Sequence, residues 1–254
     1  MLVALARGVS PSIERCELTH LERESIDVNV AVQQHKEYES CLVGLGCVLK
    51  SLPAEPDLPD CVFIEDTAVV LDELALITRP GAPSRRDETP GVEQALRDYR
   101  ELTHVRPPAT LDGGDVLVVG HDIFIGISAR TNEEGVSQAR LAFEPLGYTV
   151  TGVPVSGCLH LKSAVGQVSP DTLLINRNWV DPEVFGDRRL IDVAPSEPRA
   201  AGALSIRGVV VYPEAFEKTR DRLSDAGIET ITVELSELAK AEAGITCCSL
   251  VFKA

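Results

Sequence analysis

The feature of the sequence that most constrains its fold is a recurring pair of short apolar segments joined by a polar turn. These pairs begin near residues 61, 114, 159, 203 and 245, so successive starts are 53, 45, 44 and 42 residues apart. Between the pairs, the pattern generally predicts a helix and one further strand. A unit that repeats about every 45 residues predicts a closed ring of five units, each a hairpin, a helix and a strand. An α/β sheet with accidental spacing is the alternative.

The boundaries of the predicted elements follow from apolar periodicity and from turn-forming residues. Strand pairs are predicted over 61–79, 114–128, 159–176 and 203–213, with turns at Asp72-Glu73, Gly120-His121-Asp122, Ser169-Pro170-Asp171 and Arg207-Gly208. Helices are predicted over about 26–46, 89–103, 132–145 and 213–227, and single strands over 148–155 and 229–233. The fifth pair begins in GITCCSLVF, and its partner is the N-terminal strand LVALAR. No Gly/Ser/Pro-rich linker divides the chain, so we expect one domain over 1–254.

The charge balance restricts the kind of ligand that this chain can bind. There are 24 Lys and Arg residues against 39 Asp and Glu residues, which gives a formal net charge of −15. Such a chain repels phosphate backbones, so we expect no nucleic-acid partner. It attracts small cations, although acidic surfaces often serve solubility alone.

Membrane insertion and disulfide bonding are both disfavoured by the sequence. No apolar run approaches the roughly 20 residues that a bilayer-spanning helix needs, and no basic segment precedes the short apolar N-terminus. The seven cysteines are an odd number without a CxxC motif, a pattern that favours free thiols over a disulfide framework or a structural zinc site. We therefore expect a cytoplasmic protein without a membrane partner.

Groups capable of chemistry lie near the starts of several strand pairs. Glu65 and Asp66 lie in the first pair, His160 in the third and Cys247 in the fifth, and Asp112 directly precedes the second. Equivalent positions of a ring face one axis, so we expect these side chains to converge. A Cys thiolate is a strong nucleophile, a His exchanges protons, and a carboxylate orients that His. The additional acids suit attack on a guanidinium carbon better than amide hydrolysis, which would need oxyanion donors.

Each of these residues also has a purely structural interpretation. A His between two leucines is often a hydrogen-bonded structural residue, and Cys247 among apolar neighbours is compatible with an inert buried thiol. Strand alternation predicts that Cys248 points away from Cys247, so that at most one of the two serves the site. Arg85-Arg86 lies either in a solvated loop or at a carboxylate-binding site, because Arg grips carboxylates with two parallel hydrogen bonds.

Six segments, in this order along the chain, resemble the dimethylarginine dimethylaminohydrolase family, a relative of arginine deiminase and the amidinotransferases. The segments are LPDCVFIEDTAVV at 58–70, ITRPGAPSRR at 77–86, TLDGGDVL at 110–117, SARTN at 128–132, LHLKS at 159–163 and ITCCS at 245–249. The resemblance implies an α/β fold, a five-unit αβ propeller of ββαβ repeats with pseudo-five-fold symmetry.

The same resemblance implies a role for each residue of the site. It implies Cys247 as the nucleophile, His160 as the general acid and base, and Asp112 as its orienting carboxylate. It also implies a set of substrate-binding groups: Glu65 and Asp66 at the guanidinium, Arg85 and Arg130 at the α-carboxylate, and Asp60, Leu18 and the Ala241 backbone near the α-amino group. Leu18 would lie on a mobile N-terminal lid, residues 8–22.

The implied reaction hydrolyses ω-methylated arginine to citrulline and an amine through a covalent thiouronium on Cys247. It needs no cofactor and no metal, its partner is a small cationic amino acid, and the chain is expected to be a monomer or homodimer. In the deiminase branch an Asp follows the catalytic His by two positions, whereas this chain has Lys162. Lys accepts no hydrogen bond, which favours methylated substrates. The alternatives are a related guanidine hydrolase such as arginine deiminase, or a non-catalytic thiol- or metal-binding protein on the same fold.

Overall fold

The computed structural model describes residues 1–254 and contains fifteen β-strands in five separate sheets. Strands β1 to β15 are, in order, Leu2–Arg7, Val48–Leu52, Ala68–Val70, Leu74–Ile77, Glu101–His104, Val116–Val119, Asp122–Ile127, Thr149–Pro154, Val165–Ser169, Thr172–Ile175, Arg189–Asp192, Leu204–Ile206, Val209–Pro213, Thr230–Val233 and Ser249–Lys253. The sheets have the orders β15-β1-β2, β3-β4-β5, β6-β7-β8, β9-β10-β11 and β12-β13-β14.

All five sheets share one connectivity. The central strand of each pairs antiparallel with one neighbour and parallel with the other, as β4 does with β3 and β5. In the first sheet β1 pairs antiparallel with β15 and parallel with β2, so that the two ends of the chain meet. This repetition confirms the predicted α/β fold of five propeller units.

Six α-helices accompany the strands, and most of them join the second strand of a unit to the third. Helices α1 to α6 are Val28–Gly44, Thr89–Leu96, Glu133–Phe143, Leu161–Ala164, Glu217–Asp225 and Ser236–Ala239. The start of α1 is fixed by Asp27, whose carboxylate accepts hydrogen bonds from the backbone N–H groups of Asn29 and Val30. The predicted helices at 26–46, 132–145 and 213–227 and the predicted turn at Arg207-Gly208 are confirmed, and both turn residues have positive φ.

Three strand pairs begin several residues later in the structure than predicted, at 68, 165 and 249 instead of 61, 159 and 245. The residues in between include Glu65, Asp66, His160 and Cys247 of the predicted site. Glu65 and Asp66 lie in a 3₁₀ helix, Ile64–Thr67, and not in a strand. His160 precedes the single turn of α4, and Cys247 lies in a turn before β15. The apolar run around Glu65 resembles a strand in sequence, but the Thr67 hydroxyl donates to the Ile64 carbonyl and closes a local turn instead. The argument from strand alternation at Cys247-Cys248 was therefore wrong.

Other predicted boundaries also differ from the structure. The helix predicted over 89–103 ends at Leu96, and residues 101–104 form β5 beside β4. Strands β2 and β11 were not predicted, because their side chains are half-buried or exposed and their apolar alternation is weak. In the third unit a short 3₁₀ helix, Pro182–Phe185, takes the place of the long helix.

The apolar core is distributed around the ring instead of forming one centre. Five clusters of 9 to 19 buried residues lie within and between the units. All seven cysteines are free thiols. None of the helices combines the length and the apolar character that crossing a bilayer requires.

Candidate active site

Segments between the strands converge around one small cavity. The cavity is lined by charged and polar groups from four of the five units and by the thiol. The lining includes Asp60, Asp66, Arg85, Arg130, His160, Ala241 and Cys247, all of which the sequence analysis had selected. The ring therefore brings together residues that are far apart in the sequence, such as Asp60 and Cys247, which are 187 positions apart.

His160 is held by two buried carboxylates. Its Nε2 lies 3.0 Å from Oδ2 of Asp112, and its Nδ1 lies 3.9 Å from Oδ1 of Asp66. Asp112 is fixed in turn, because its Oδ1 accepts a hydrogen bond of 2.8 Å from the Gly81 N–H. Burial alone would lower the pKa of His160, but the charge of Asp66 and the hydrogen bond to Asp112 outweigh it and raise the pKa to about 9. His160 is thus an imidazolium at neutral pH.

Close contacts leave no room for a side chain at Gly113 and Gly114, the pair that follows Asp112. A Cβ on Gly114 would lie 2.5 Å from Nδ1 of His160 and 2.7 Å from Oδ1 of Asp66. A side chain on Gly113 would lie 2.0 Å from the Glu65 carbonyl oxygen. The backbone must pass this close, because the Gly114 N–H donates a 2.8 Å hydrogen bond to Asp66. The GG pair is therefore part of the site and more than a turn.

Two cationic neighbours stabilise the ionised form of Asp66. Its Oδ2 accepts a 2.6 Å hydrogen bond from Arg85, and both residues are buried. Although burial raises the pKa of Asp66, His160 and Arg85 outweigh it and lower the pKa to about 2. Arg85 also donates from Nε and Nη2 to both oxygens of Glu88, at 3.1 and 2.8 Å, and from Nη2 to the Phe63 carbonyl. Most of the Arg85 donors are thus already used within the protein.

Glu65 has a different environment from its neighbour Asp66. Its Oε1 accepts a 2.6 Å hydrogen bond from Nζ of Lys162, and its Oε2 accepts one of 2.8 Å from the Thr246 hydroxyl. Burial raises the pKa of Glu65, and the Lys162 charge opposes that shift. Lys162 therefore does face the site, where it neutralises Glu65 and occupies one of its oxygens.

The two adjacent cysteines differ in exposure as predicted, although they lie in a turn and not in a strand. Cys247 is partly exposed and lines the cavity, whereas Cys248 is 0% exposed and packs in the core cluster beneath α1. The Gly244 N–H donates to the Cys247 sulfur over 3.2 Å. Burial and then the charges of Glu65 and Asp66 raise the pKa of Cys247 to about 12. The Cys247 thiol is therefore neutral at neutral pH.

The predicted amino-acid end of the site lies at the N-terminal segment. Asp60 accepts hydrogen bonds from the Glu17 N–H at 3.3 and 3.1 Å, and burial raises the pKa of Asp60. Arg130 donates from Nη2 to the Thr19 hydroxyl over 3.1 Å. Leu18 packs against the core cluster beneath α1 and is not among the cavity-lining residues, whereas its neighbour Glu17 is.

A second, larger cavity meets the first at the thiol. Cys247 and His160 line both cavities, while Glu65, Lys162 and Thr246 line only the larger one. Asp60, Asp66, Arg85 and Arg130 line only the smaller. The thiol thus lies at the junction between a charged cavity and a wider one.

Four residues with evident parts in this site were not selected from the sequence. Glu88 grips Arg85, Thr246 donates to Glu65, and Asp115 accepts from the Leu161 N–H at 2.9 Å and from the Ser128 hydroxyl at 2.7 Å. The fourth is Glu242, which contacts residues 19–21. Asp115 and Thr246 carried a signal, since Asp115 lies within the TLDGGDVL segment and Thr246 within ITCCS. The other contacts depend on tertiary proximity.

One cluster has the spacing of a metal site. Ligand atoms of Asp66, Asp112 and His160 lie within 4.8 Å of one another. Each is already engaged: His160 with Asp112, and Asp66 with Arg85 and the Gly114 N–H. The guanidinium beside Asp66 repels a cation, so hydrogen bonding accounts for the cluster.

Comparisons with known proteins identify relatives along the whole chain. No protein-family model matches it. It is 42% identical over 249 residues to the N(G),N(G)-dimethylarginine dimethylaminohydrolase of Streptomyces coelicolor, covering 97% of this chain and 95% of that protein. It is 32% identical over 228 residues to the protein of the same name from Pseudomonas aeruginosa, covering 89% and 90%. The solved structure of a Cys-to-Ser mutant from Pseudomonas aeruginosa, complexed with citrulline, superimposes with a TM-score of 0.93 at 31% identity over 98% of both chains.

Proposed function

The chain belongs to the dimethylarginine dimethylaminohydrolase family, as its sequence segments predicted, and we propose that it is a hydrolase that converts ω-methylated arginines to citrulline. Its relatives act on guanidino C–N bonds. The observation that carries the proposal is one cavity in which a thiol, an imidazolium held by Asp112, and the ionised Asp66 adjoin two arginines. The products are citrulline and either dimethylamine or methylamine.

Charge complementarity orients the substrate in this proposal. The guanidinium lies beside Asp66 at the junction of the cavities. The α-carboxylate lies toward Arg130 and Arg85, and the α-amino group toward Asp60 and the Ala241 backbone. Binding of the cationic substrate also activates the Cys247 thiol. Because Glu65 and Asp66 raise the pKa of the Cys247 thiol, a guanidinium that compensates their charge lowers it, and the thiol proton leaves to solvent.

The first half of the reaction forms the covalent intermediate. The Cys247 thiolate attacks the guanidinium carbon and a C–S bond forms. His160, already protonated at neutral pH, donates its proton to the substituted ω-nitrogen, so the amine departs neutral as the C–N bond breaks. A thiouronium on Cys247 remains, and His160 is left neutral beside Asp112.

The second half restores the enzyme. Neutral His160 takes a proton from water, and the resulting hydroxide attacks the same carbon. The C–S bond breaks, the Cys247 thiolate departs, and citrulline forms. His160 ends protonated, as it began. The water's oxygen therefore enters citrulline. One water proton replaces the proton that His160 gave to the amine, and the hydroxyl proton restores the Cys247 thiol as the citrulline carbonyl forms. The proton that the thiol lost to solvent at the start is the net proton of the reaction. The chain's own residues complete this cycle without a cofactor.

We expect a preference for methylated over plain arginine. Both Glu65 oxygens already accept a hydrogen bond, from Lys162 and from Thr246, so a plain ω-NH₂ on that side has fewer free acceptor sites and is under-satisfied at a cost of about 1–3 kcal/mol. A methylated nitrogen has fewer protons to satisfy. Monomethyl- and asymmetric dimethylarginine should therefore exceed arginine in kcat/KM by about tenfold or more. Symmetric dimethylarginine should be a poor substrate, because it carries its second methyl group on the other ω-nitrogen, the one that Asp66 is proposed to bind. Citrulline formation, measured side by side for all four compounds, tests both the preference and the function.

A pair of variants separates this explanation from a general effect of charge. Lys162→Met frees Oε1 of Glu65, so the preference for methylarginine over arginine should narrow. Lys240→Met removes an ion pair of similar length with Glu237, outside both cavities, and should leave the preference unchanged. Turnover of arginine equal to that of the methylarginines in the unaltered protein would instead favour arginine deiminase. Absence of citrulline from every substrate would favour a non-catalytic protein.

The protonation of His160 makes a testable contribution to stability. Its pKa is raised from the ordinary value of 6.5 to about 9, so the protonated form is favoured in the folded state. That stabilisation is complete below about pH 6.5 and is lost as the pH rises through about 9. The unfolding free energy from urea titrations should fall over this window, and His160→Asn should remove that fall. His121→Asn, at an exposed His, serves as control, and an unchanged slope in the His160 variant would contradict the assignment.

We also propose a cytoplasmic location, which is supported by seven free thiols, including partly exposed ones. The small cationic amino acid is the partner that this proposal requires.

A further inference from the structure

Glu242 stands out by its backbone and by what its carboxylate contacts. It is one of two non-glycine residues with positive φ, at 60°. Its Oε2 accepts a 3.0 Å hydrogen bond from the Thr19 N–H, and its Oε1 accepts from the N–H groups of His20 and of Leu21, the latter at 2.5 Å. One carboxylate thus holds three consecutive backbone donors that are more than 220 positions away in the sequence.

The segment held in this way, residues 17–21, forms walls of both cavities. Glu17 lines the smaller cavity, and His20 and Leu21 line the larger. The segment has no helix or strand hydrogen bonds of its own. Its N–H groups at 17, 19, 20 and 21 all donate to carboxylates, the first to Asp60 and the others to Glu242. Its position over the site therefore depends on two acids.

The contact also reaches groups assigned to the reaction. The Thr19 hydroxyl accepts from Arg130 over 3.1 Å, while the Thr19 N–H donates to Glu242. On the other side, Glu242 is two residues before Gly244, whose N–H donates to the Cys247 sulfur. Glu242 thus connects the segment over the cavity with the loop that holds the thiol.

The backbone conformation supports a specific role for this side chain. A non-glycine residue in the left-handed region is strained, and such strain persists where surrounding contacts impose it. Here the charged hydrogen bonds to three N–H groups hold Glu242 in place. A glycine would relieve the strain and remove the contacts together.

We propose that Glu242 is a positioning residue that fixes residues 17–21 over the cavity and, through Thr19, orients Arg130 toward the substrate α-carboxylate. The part concerning Arg130 rests on the proposed function. The part concerning residues 17–21 does not.

Amide hydrogen exchange tests the second part without any substrate. Two variants remove the charge differently: Glu242→Gln keeps the shape, and Glu242→Gly suits a φ of 60° and so preserves the fold. Each should accelerate exchange at the Thr19, His20 and Leu21 amides by about tenfold or more, with amides in the strands unchanged. Glu237→Gln is the matched control, because Glu237 accepts from the Asp27 N–H at 2.8 Å beside α1 and contacts no residue of the segment. Unchanged exchange at residues 19–21 in both Glu242 variants would overturn the proposal.

Kinetics test the connection to Arg130. In both Glu242 variants the KM for asymmetric dimethylarginine should rise by about tenfold, while kcat changes by no more than about threefold, because the Glu242 carboxylate bonds to residues 19–21 and not to Cys247, His160 or Asp66. For an analogue without the α-carboxylate, the KM of the variants should differ little from that of the unaltered protein. An equal rise in KM for both compounds would overturn the link between Glu242 and Arg130. If the unaltered protein forms no citrulline, the proposed function fails, and the exchange result still decides whether Glu242 holds the segment.

Discussion

Replacement of Cys247 by serine is expected to lower citrulline formation from asymmetric dimethylarginine by at least about 10³-fold, the order of loss when a covalent nucleophile is removed. A hydroxyl is far less acidic than a thiol, so the guanidinium cation cannot ionise it by compensating the charges of Glu65 and Asp66. Cys248→Ala should keep most of the activity, because that thiol is 0% exposed and packs in the core.

Mass spectrometry identifies the reacting sulfur directly. Protein quenched during turnover should carry the added mass of the thiouronium intermediate on the peptide that contains Cys247. The two cysteines are adjacent, so the measurement is best made on Cys248→Ala, where only one thiol remains in the peptide. Added mass on any other cysteine of that variant would contradict the assignment.

Replacement of Arg85 by alanine is expected to destabilise the fold by about 3–5 kcal/mol, in addition to any effect on binding. The change removes the partner of two buried carboxylates, Asp66 and Glu88, which lie 2.6 and 2.8 Å from the guanidinium. Breaking a buried ion pair by removing one member leaves the other charges uncompensated. Urea unfolding followed by fluorescence or circular dichroism measures the loss.

Two other arginines provide controls for this prediction. Arg86→Ala, at the next position, loses one hydrogen bond to the Pro80 carbonyl and should cost about 0.5–1.5 kcal/mol. Arg130→Ala loses a hydrogen bond to Thr19 and no close ion pair, its distance to Asp112 being 4.0 Å. Arg130→Ala therefore gives the cleaner test of α-carboxylate binding, by comparison of free methylarginine with an analogue that lacks this group. Equal stability losses for Arg85→Ala and Arg86→Ala would show that the Asp66–Arg85–Glu88 network is energetically unimportant.

The ring could be predicted from the sequence because its repeat depends on local signals. Turn pairs such as Arg207-Gly208 and alternating apolar residues are both readable within a few positions. The local structure of the site residues could not be predicted in the same way. Glu65, His160 and Cys247 stand beside apolar runs, yet they lie in a 3₁₀ helix, directly before α4 and in a turn, respectively. Side-chain hydrogen bonds, such as those of Thr67 to Ile64 and of Gly244 to the Cys247 sulfur, accompany these short structures, and the apolar pattern does not reveal them.

The individual partners within the site were also beyond prediction from the sequence. Lys162 could be identified as unable to accept a hydrogen bond, but its pairing with Glu65 depends on two segments 97 positions apart. Glu88 and Glu242 look like ordinary surface acids in the sequence. Their importance follows from the guanidinium and the N–H groups that the fold brings to them.

The pairing of β1 with β15 affects how such a chain is made on a ribosome. Residues 2–7 emerge early, but their antiparallel partner, residues 249–253, is synthesised more than 240 residues later. During that interval β1 has an open edge, of the kind that pairs with other chains, so nascent chains depend on rapid completion or on chaperones. Cys247 lies two residues before β15, so the segment that closes the ring also carries the proposed nucleophile. A partly synthesised chain therefore contains the acids of the site but lacks Cys247, so the proposed activity requires the complete ring.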